Sequence, residues 1–143
     1  MWSAETVFVC ALALLGRTEQ SFPPVQFIEN PPPGVSRLAE GYTLYAESRI
    51  VLVTSASAFK RAQLARDRCS DLEALREVAG VLAHEEWHVR HGQDESDAYD
   101  AQLIALLLVG ARQDGPLFHK VMRAKLAVTR PPKRVASVRS RLD

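Results

Sequence analysis

Residues 84–88 read His84-Glu85-Glu86-Trp87-His88, the spacing H-E-x-x-H. On a helix, positions i and i+4 share a face, so both imidazoles can reach one metal ion. Glu85 lies one step round from His84, where it can hold a water on that ion and take its proton. Two neutral nitrogen donors, an open coordination position and an adjacent carboxylate base are what zinc-assisted hydrolysis requires. The chain has four histidines, and His84, His88 and His91 are three of them. Helical histidines are commonly solvated or hydrogen-bonded within a fold. Here the placed glutamate and the acidic residues that follow favour a metal site.

Two histidines and a water leave a third protein ligand to find. Asp94 and Glu95 come next, just before an apolar-rich stretch at residues 98–109. Asp94 suits the N-cap of a second helix, its carboxylate accepting from an amide of the first turn. If the chain reverses at Gly92 and that helix folds back, Glu95 points at the histidine pair. Glu95 is therefore preferred as the third ligand, with Asp94 as the alternative, because Asp94 has a competing capping role. Asp94 follows His88 at the metzincin spacing, although His91 stands where that pattern has glycine. The Cα of His91 lies about 10 Å along the axis from His84. One ion cannot bond all three without straining the helix, so His91 is read as a rim residue. Trp87 reads as packing. Tyr99, one turn beyond Glu95, either donates to a developing oxyanion or packs behind Glu95, and both readings stay open.

H-E-x-x-H followed by a helix opening E-x-x-A-Y (Glu95, Ala98, Tyr99) resembles the minigluzincins, small gluzincin-type zinc metallopeptidases. Specific identity is confined to residues 84–99, within an order of elements over residues 40–109 that agrees. The separation of His88 from Glu95 is shorter than in many gluzincins. The resemblance implies His84, His88 and Glu95 as Zn²⁺ ligands and Glu85 as general base. It also implies an antiparallel edge strand that extends a bound peptide by main-chain pairing. The strand at residues 49–54, or its partner at residues 42–45, is the candidate. The implied reaction is peptide-bond hydrolysis without a covalent acyl-enzyme: zinc polarises the scissile carbonyl, and Glu85 moves a proton from water to the leaving amine.

The elements that must hold these residues are also legible. Ser70-x-x-Glu73 has the form of a capping box, and Asp71, Glu73 and Glu77 put negative charge at the positive end of a helix dipole. Leu72, Leu75, Val78, Ala79 and Leu82 make a core-facing stripe. Arg90 and His91 fit a last turn, and Gly92 a left-handed C′ stop. A helix over residues 71–91 follows. Residues 7–15 form an apolar run flanked by Ser3 as N-cap, Glu5 in the first turn and Gly16 as C′. This reads as a buried helix. A signal peptide would need preceding Lys or Arg and a small-x-small cleavage site, and a membrane span a longer run. Residues 22–29 read as a short edge strand and residues 31–34 as a rigid connector. Residues 42–45 and 49–54 flank Ala46-Glu47-Ser48 as a hairpin. Residues 56–66 suggest a helical turn, and a last helix spans residues 117–128. The expected fold is α+β: an N-terminal helix, a small antiparallel sheet or hairpin, the motif helix and a ligand-bearing helix. Residues 1–128 form one domain, and residues 129–143 a basic tail expected to be disordered.

At 143 residues and 47% hydrophobic content the chain can bury a core, and its net charge of +1 sets up no overall field toward nucleic acid or membrane. Cys10 and Cys69 lack C-x-x-C spacing; thiols are the default, with one disulfide the alternative if the protein is exported. The compartment stays open, the cytoplasm favoured and export following if residues 7–15 act as an atypical signal. The expected partner is a peptide or protein substrate, with no specific nucleic acid and no membrane span. The alternative function is a catalytically inactive, zinc-stabilised binding module whose basic tail contacts an acidic partner. That tail lacks the aromatic residues that would stack on bases.

Overall fold

The computed structural model describes residues 1–129; the basic tail expected beyond residue 128 falls almost wholly outside them. Helix α1 (Ala4–Leu14) starts where the Ser3 side chain accepts the Thr6 amide and stops at Gly16, whose φ is +68°. The Gly16 amide bonds to Ala13 O and the Arg17 amide to Leu12 O, which satisfies the last carbonyls of the helix. Val7, Phe8, Ala11 and Leu12 are buried, so the apolar run is a packed helix of the domain. No helix of the described residues is long and apolar enough to cross a membrane.

Strands β1 (Val25–Ile28), β2 (Gly41–Leu44) and β3 (Arg49–Val53) form one sheet in the order β1-β3-β2. β2 and β3 are the expected antiparallel hairpin, with Tyr42 opposite Val51. A 3₁₀ turn at Tyr45–Glu47 joins them, and Ser48 turns the chain at φ +48°. β1 adds to the far side of β3 in parallel, Val25 beside Ile50, which makes the sheet mixed. β3 is thus central, and Ile50 to Val53 are all buried, as a continuous apolar run predicts. Of the two strands considered for pairing with a peptide, β3 is excluded because both its edges are taken. β2 keeps one edge open among the described residues.

Helix α2 (Ser57–Gln63) leads into a turn and then the long helix α3 (Leu72–His91). The main core forms where α1, α2 and β3 close on the apolar stripe of α3, through Phe8, Leu12, Leu52, Phe59, Leu75, Val78, Ala79 and Leu82. The start of α3 departs from the expected capping box. Asp71 is the N-cap, its carboxylate accepting the Ala74 amide at 3.0 Å. The Ser70 hydroxyl is committed one turn earlier, accepting the Asp67 amide at 3.1 Å, and Glu73 pairs with Arg61 at 3.1 Å. That turn carries Cys69, at φ +60°, onto α1.

Cys10 and Cys69 are joined by a disulfide, with Cα atoms 5.6 Å apart, so the default reading as free thiols is corrected. The pairing brings together residues far apart in the chain and fixes the entry of α3 against α1. Closing a loop of this length stabilises a domain by about 2–5 kcal/mol. Cys10→Ser is therefore expected to lower the unfolding free energy by that amount, checked by denaturant unfolding. Reductant should reproduce the loss in the wild type and leave the variant unchanged.

After α3, helices α4 (Glu95–Leu108) and α5 (Pro116–Thr129) complete five helices among the described residues, and the fold is α+β as expected. α4 runs back along α3, and α5 packs on α4 through Leu103, Leu106, Phe118 and Val121. The two long helices touch at Gly80, where an added Cβ would stand 2.9 Å from Leu106 Cδ2. A larger residue there would require the Leu106 methyl to shift.

Candidate metal centre

α3 buries both motif histidines, His84 at 6% and His88 at 5% exposure, on the face that meets α4. Gly92 ends α3 at φ +110° and ψ −153°. This is an extended conformation open to glycine alone, different from the left-handed stop expected from sequence. It turns the Gly92 carbonyl back to accept from His88 Nδ1 at 2.7 Å. On α4, the buried Gln102 Oε1 accepts from His84 Nδ1 at 2.9 Å. In the neutral rings both Nδ1 atoms therefore carry the proton, and both Nε2 atoms present lone pairs. Those lone pairs converge on one oxygen of Glu95, His84 Nε2 at 3.1 Å and His88 Nε2 closer still. The ligand atoms of His84, His88 and Glu95 lie within 4.8 Å of one another. With both rings neutral, two imidazole lone pairs and a carboxylate oxygen repel unless a cation, a metal ion or a proton, lies among them. Two nitrogens with outer hydrogen-bond partners and one oxygen form a donor set that zinc takes.

Glu85 stands beside this cluster, 7% exposed, and accepts the Thr43 hydroxyl from β2 at 2.8 Å. Burial raises its pKa against the lowering effect of the two histidines and Thr43. Two phenols flank the rings. Tyr99 packs edge-on against His84 with centroids 4.5 Å apart, and Tyr45 meets His88 at 5.9 Å. Burial, then the charges of Glu95 and Glu85, hold the Tyr99 pKa above its ordinary value. Tyr45 is raised by burial and the same two carboxylates.

The remaining sequence candidates fall as follows. Asp94 caps α4, its carboxylate accepting the Asp97 amide at 3.0 Å, and lies outside the cluster. His91 is exposed and stacked on Trp87 with centroids 4.9 Å apart, also outside it. Glu86, between the ligands in sequence, faces away and takes both Nη atoms of Arg17, at 2.8 and 2.6 Å, with Arg90 Nε at 2.9 Å. That pairing ties the end of α1 to α3. Sequence reasoning missed Gln102, Thr43 and Tyr45. Gln102 shares the α4 face of Glu95 and Tyr99 at helical spacing, so it could have been found. Thr43 and Tyr45 come from a distant hairpin and carried no signal.

A cavity of about 390 Å³ opens beside His84, Glu85 and Glu95, and Glu40 and Lys120 line it too. Lys120 Nζ reaches Glu40 at 3.2 Å and Glu77 at 2.7 Å. Burial, reinforced by Glu77, pushes Glu40 up to about 7. Burial acts the same way on Glu77, but hydrogen bonds with Glu40 and Lys120 outweigh it and hold Glu77 below its usual range. A raised carboxyl favours the protonated folded state, so its contribution to stability is full below about 4.5 and is lost as pH climbs through about 7. Glu40→Gln removes that loss. Its melting temperature relative to wild type should therefore rise from pH 5 to pH 8, and a flat or falling difference would contradict the burial.

No protein-family model, curated protein or solved structure matches the chain. The minigluzincin resemblance thus rests on residues 84–99, and the roles of the site rest on its geometry. Glu95→Ala should weaken zinc binding by at least tenfold, as loss of a ligand does. Asp94→Ala should cost about 1 kcal/mol of helix capping and leave the affinity near wild type. Competition with a chromophoric chelator checks the ranking, and the reverse order would make Asp94 the ligand.

Proposed function

We propose that this chain is a zinc-dependent hydrolase, a metallopeptidase in which His84, His88 and Glu95 hold the metal and Glu85 is the general base. The observation that carries the reading is the convergence of both Nε2 atoms on Glu95, with each Nδ1 engaged and a buried carboxylate alongside. Zinc held there would supply Lewis acidity, polarising a carbonyl and acidifying water. The residues of the chain do the rest. The open edge of β2 aligns a peptide by main-chain hydrogen bonds. Thr43 holds the Glu85 carboxylate in place. Glu85 takes a proton from water as the water oxygen attacks the scissile carbonyl carbon. The C–N bond then breaks, and Glu85 delivers that proton to the departing nitrogen. Tyr99 and Tyr45, both shifted upward, stay protonated at neutral pH and can donate to the developing oxyanion.

Glu85→Gln tests the assignment, because it keeps the shape of the side chain and removes the base. Zinc content and melting temperature should remain near wild type, while peptide hydrolysis falls by about 10²–10⁴-fold. Loss of zinc in this variant would make Glu85 a ligand. A wild type that holds zinc but cleaves nothing in a broad peptide screen would reduce the site to a structural one.

A further inference from the structure

The cavity beside the candidate centre has apolar walls from Val81, Val121 and Ala124 and a charged end at Glu40 and Lys120. There the Lys120 ammonium lies 2.7 Å from Glu77, on which Arg61 also acts, and 3.2 Å from Glu40, so Glu40 holds the smaller share of positive charge. Burial, and after it the neighbouring Glu77, raises the pKa of Glu40. A separate feature points into the same space. Gln102 is only 7% exposed, and its Oε1 is committed to His84. Its Nε2 has no hydrogen-bond partner among the described residues. Nor is it sealed off, since Arg49 Nε is the one buried side-chain nitrogen or oxygen among them without a partner. The amide of Gln102 therefore opens onto the cavity it lines, where an acceptor brought by a guest can meet it.

β2 sets the direction in which a peptide would pass. The Val53 amide bonds Glu40 O at 3.0 Å, so Glu40 and Tyr42 turn their main-chain groups toward β3. By the alternation of an antiparallel ladder, Gly41 and Thr43 turn theirs to the open edge. Gly41 lies against Val81, Thr43 against Glu85, and Tyr45 near His88. A peptide pairing antiparallel to β2 runs from the Tyr45 end toward Gly41. Once past Glu85, its next residue enters the cavity.

We propose that this cavity recognises the residue on the C-terminal side of the scissile bond and selects a basic side chain, arginine or lysine. Glu40 receives the cation, and the Gln102 amide donates to a main-chain carbonyl of the peptide. The inference rests on the peptidase reading above and adds its substrate class. A long side chain with an apolar stem and a charged head matches apolar walls that end in a carboxylate. An acidic side chain would meet Glu40, and an aliphatic one would leave that carboxylate with Lys120 alone.

Peptides differing only at that position (Arg, Lys, Leu or Glu) are offered to wild type, Glu40→Gln and Lys120→Met, and their binding to Glu85→Gln is measured. The wild type should cleave Arg and Lys peptides with higher kcat/KM than the Leu peptide. The Arg/Leu ratio should fall about tenfold in Glu40→Gln, the size of one partly buried charge pair. It should rise in Lys120→Met, which leaves the Glu40 carboxylate to the guest. A fall in both variants would mean that the cluster only clamps α5, and the proposal is overturned. Cleavage by the wild type without preference for a basic residue removes the proposal and leaves the peptidase reading intact. If no peptide is cut and Glu85→Gln binds none of them, both fall together.

Discussion

The approach of α4 to α3 is the constraint from which the candidate centre follows. Leu106 presses into the space left by the missing side chain at Gly80, and the two helices run antiparallel from that point. Four residues along α3 and four back along α4, the same closeness lets Gln102 bond His84 Nδ1. Farther on it lets one carboxylate oxygen of Glu95 meet both imidazoles. A side chain at residue 80 would meet the Leu106 methyl first, and that methyl or the helix spacing would have to give. A residue with no functional group thus lies at the close contact beside which Gln102 and Glu95 meet the histidines.

Burying two imidazoles, a carboxylate and an amide in one place is costly unless each finds a partner. The fold supplies partners from unrelated parts of the chain. Gln102 and the Gly92 carbonyl take the Nδ1 protons, and Thr43 takes one oxygen of Glu85. The Gln102 amide nitrogen, without a partner among the described residues, and the Glu40 carboxylate, which shares Lys120 with Glu77, lie on the cavity side. The polar groups therefore divide by direction, those turned to the protein matched and those turned to the cleft left open to a guest.

The parts of this arrangement that depend on neighbouring residues could be read from the sequence. The motif helix, the reversal at Gly92, the α4 start at Asp94 and the α+β class all depend on spacing over a few residues. The choice of Glu95 over Asp94 rested on the capping role of Asp94, and that cap is present. Where local signals compete, the sequence misleads. Ser70 and Asp71 can both cap α3, and the Asp67–Ser70 turn decides which of them does. Long-range partners carried no local trace. The Cys10–Cys69 disulfide, the Thr43–Glu85 bond and the Lys120 bridge each join segments that only the tertiary fold brings together. The parallel placement of β1 is of the same kind, because β1 owes its position to the core beneath the sheet.

The three converging ligand atoms come from residues 84–95, one helix end, one turn and the first residue of the next helix. Contacts so close in sequence form early, since little loop entropy opposes them. The cleft has the opposite character, because β2 and Lys120 must arrive from both ends of the chain. The donor set can assemble while the molecule is still an αα-hairpin, before anything exists to hold a peptide. A cation captured at that stage would favour folding of the hairpin around it. The cleft beside that donor set is complete only once the strand and α5 have docked on the hairpin.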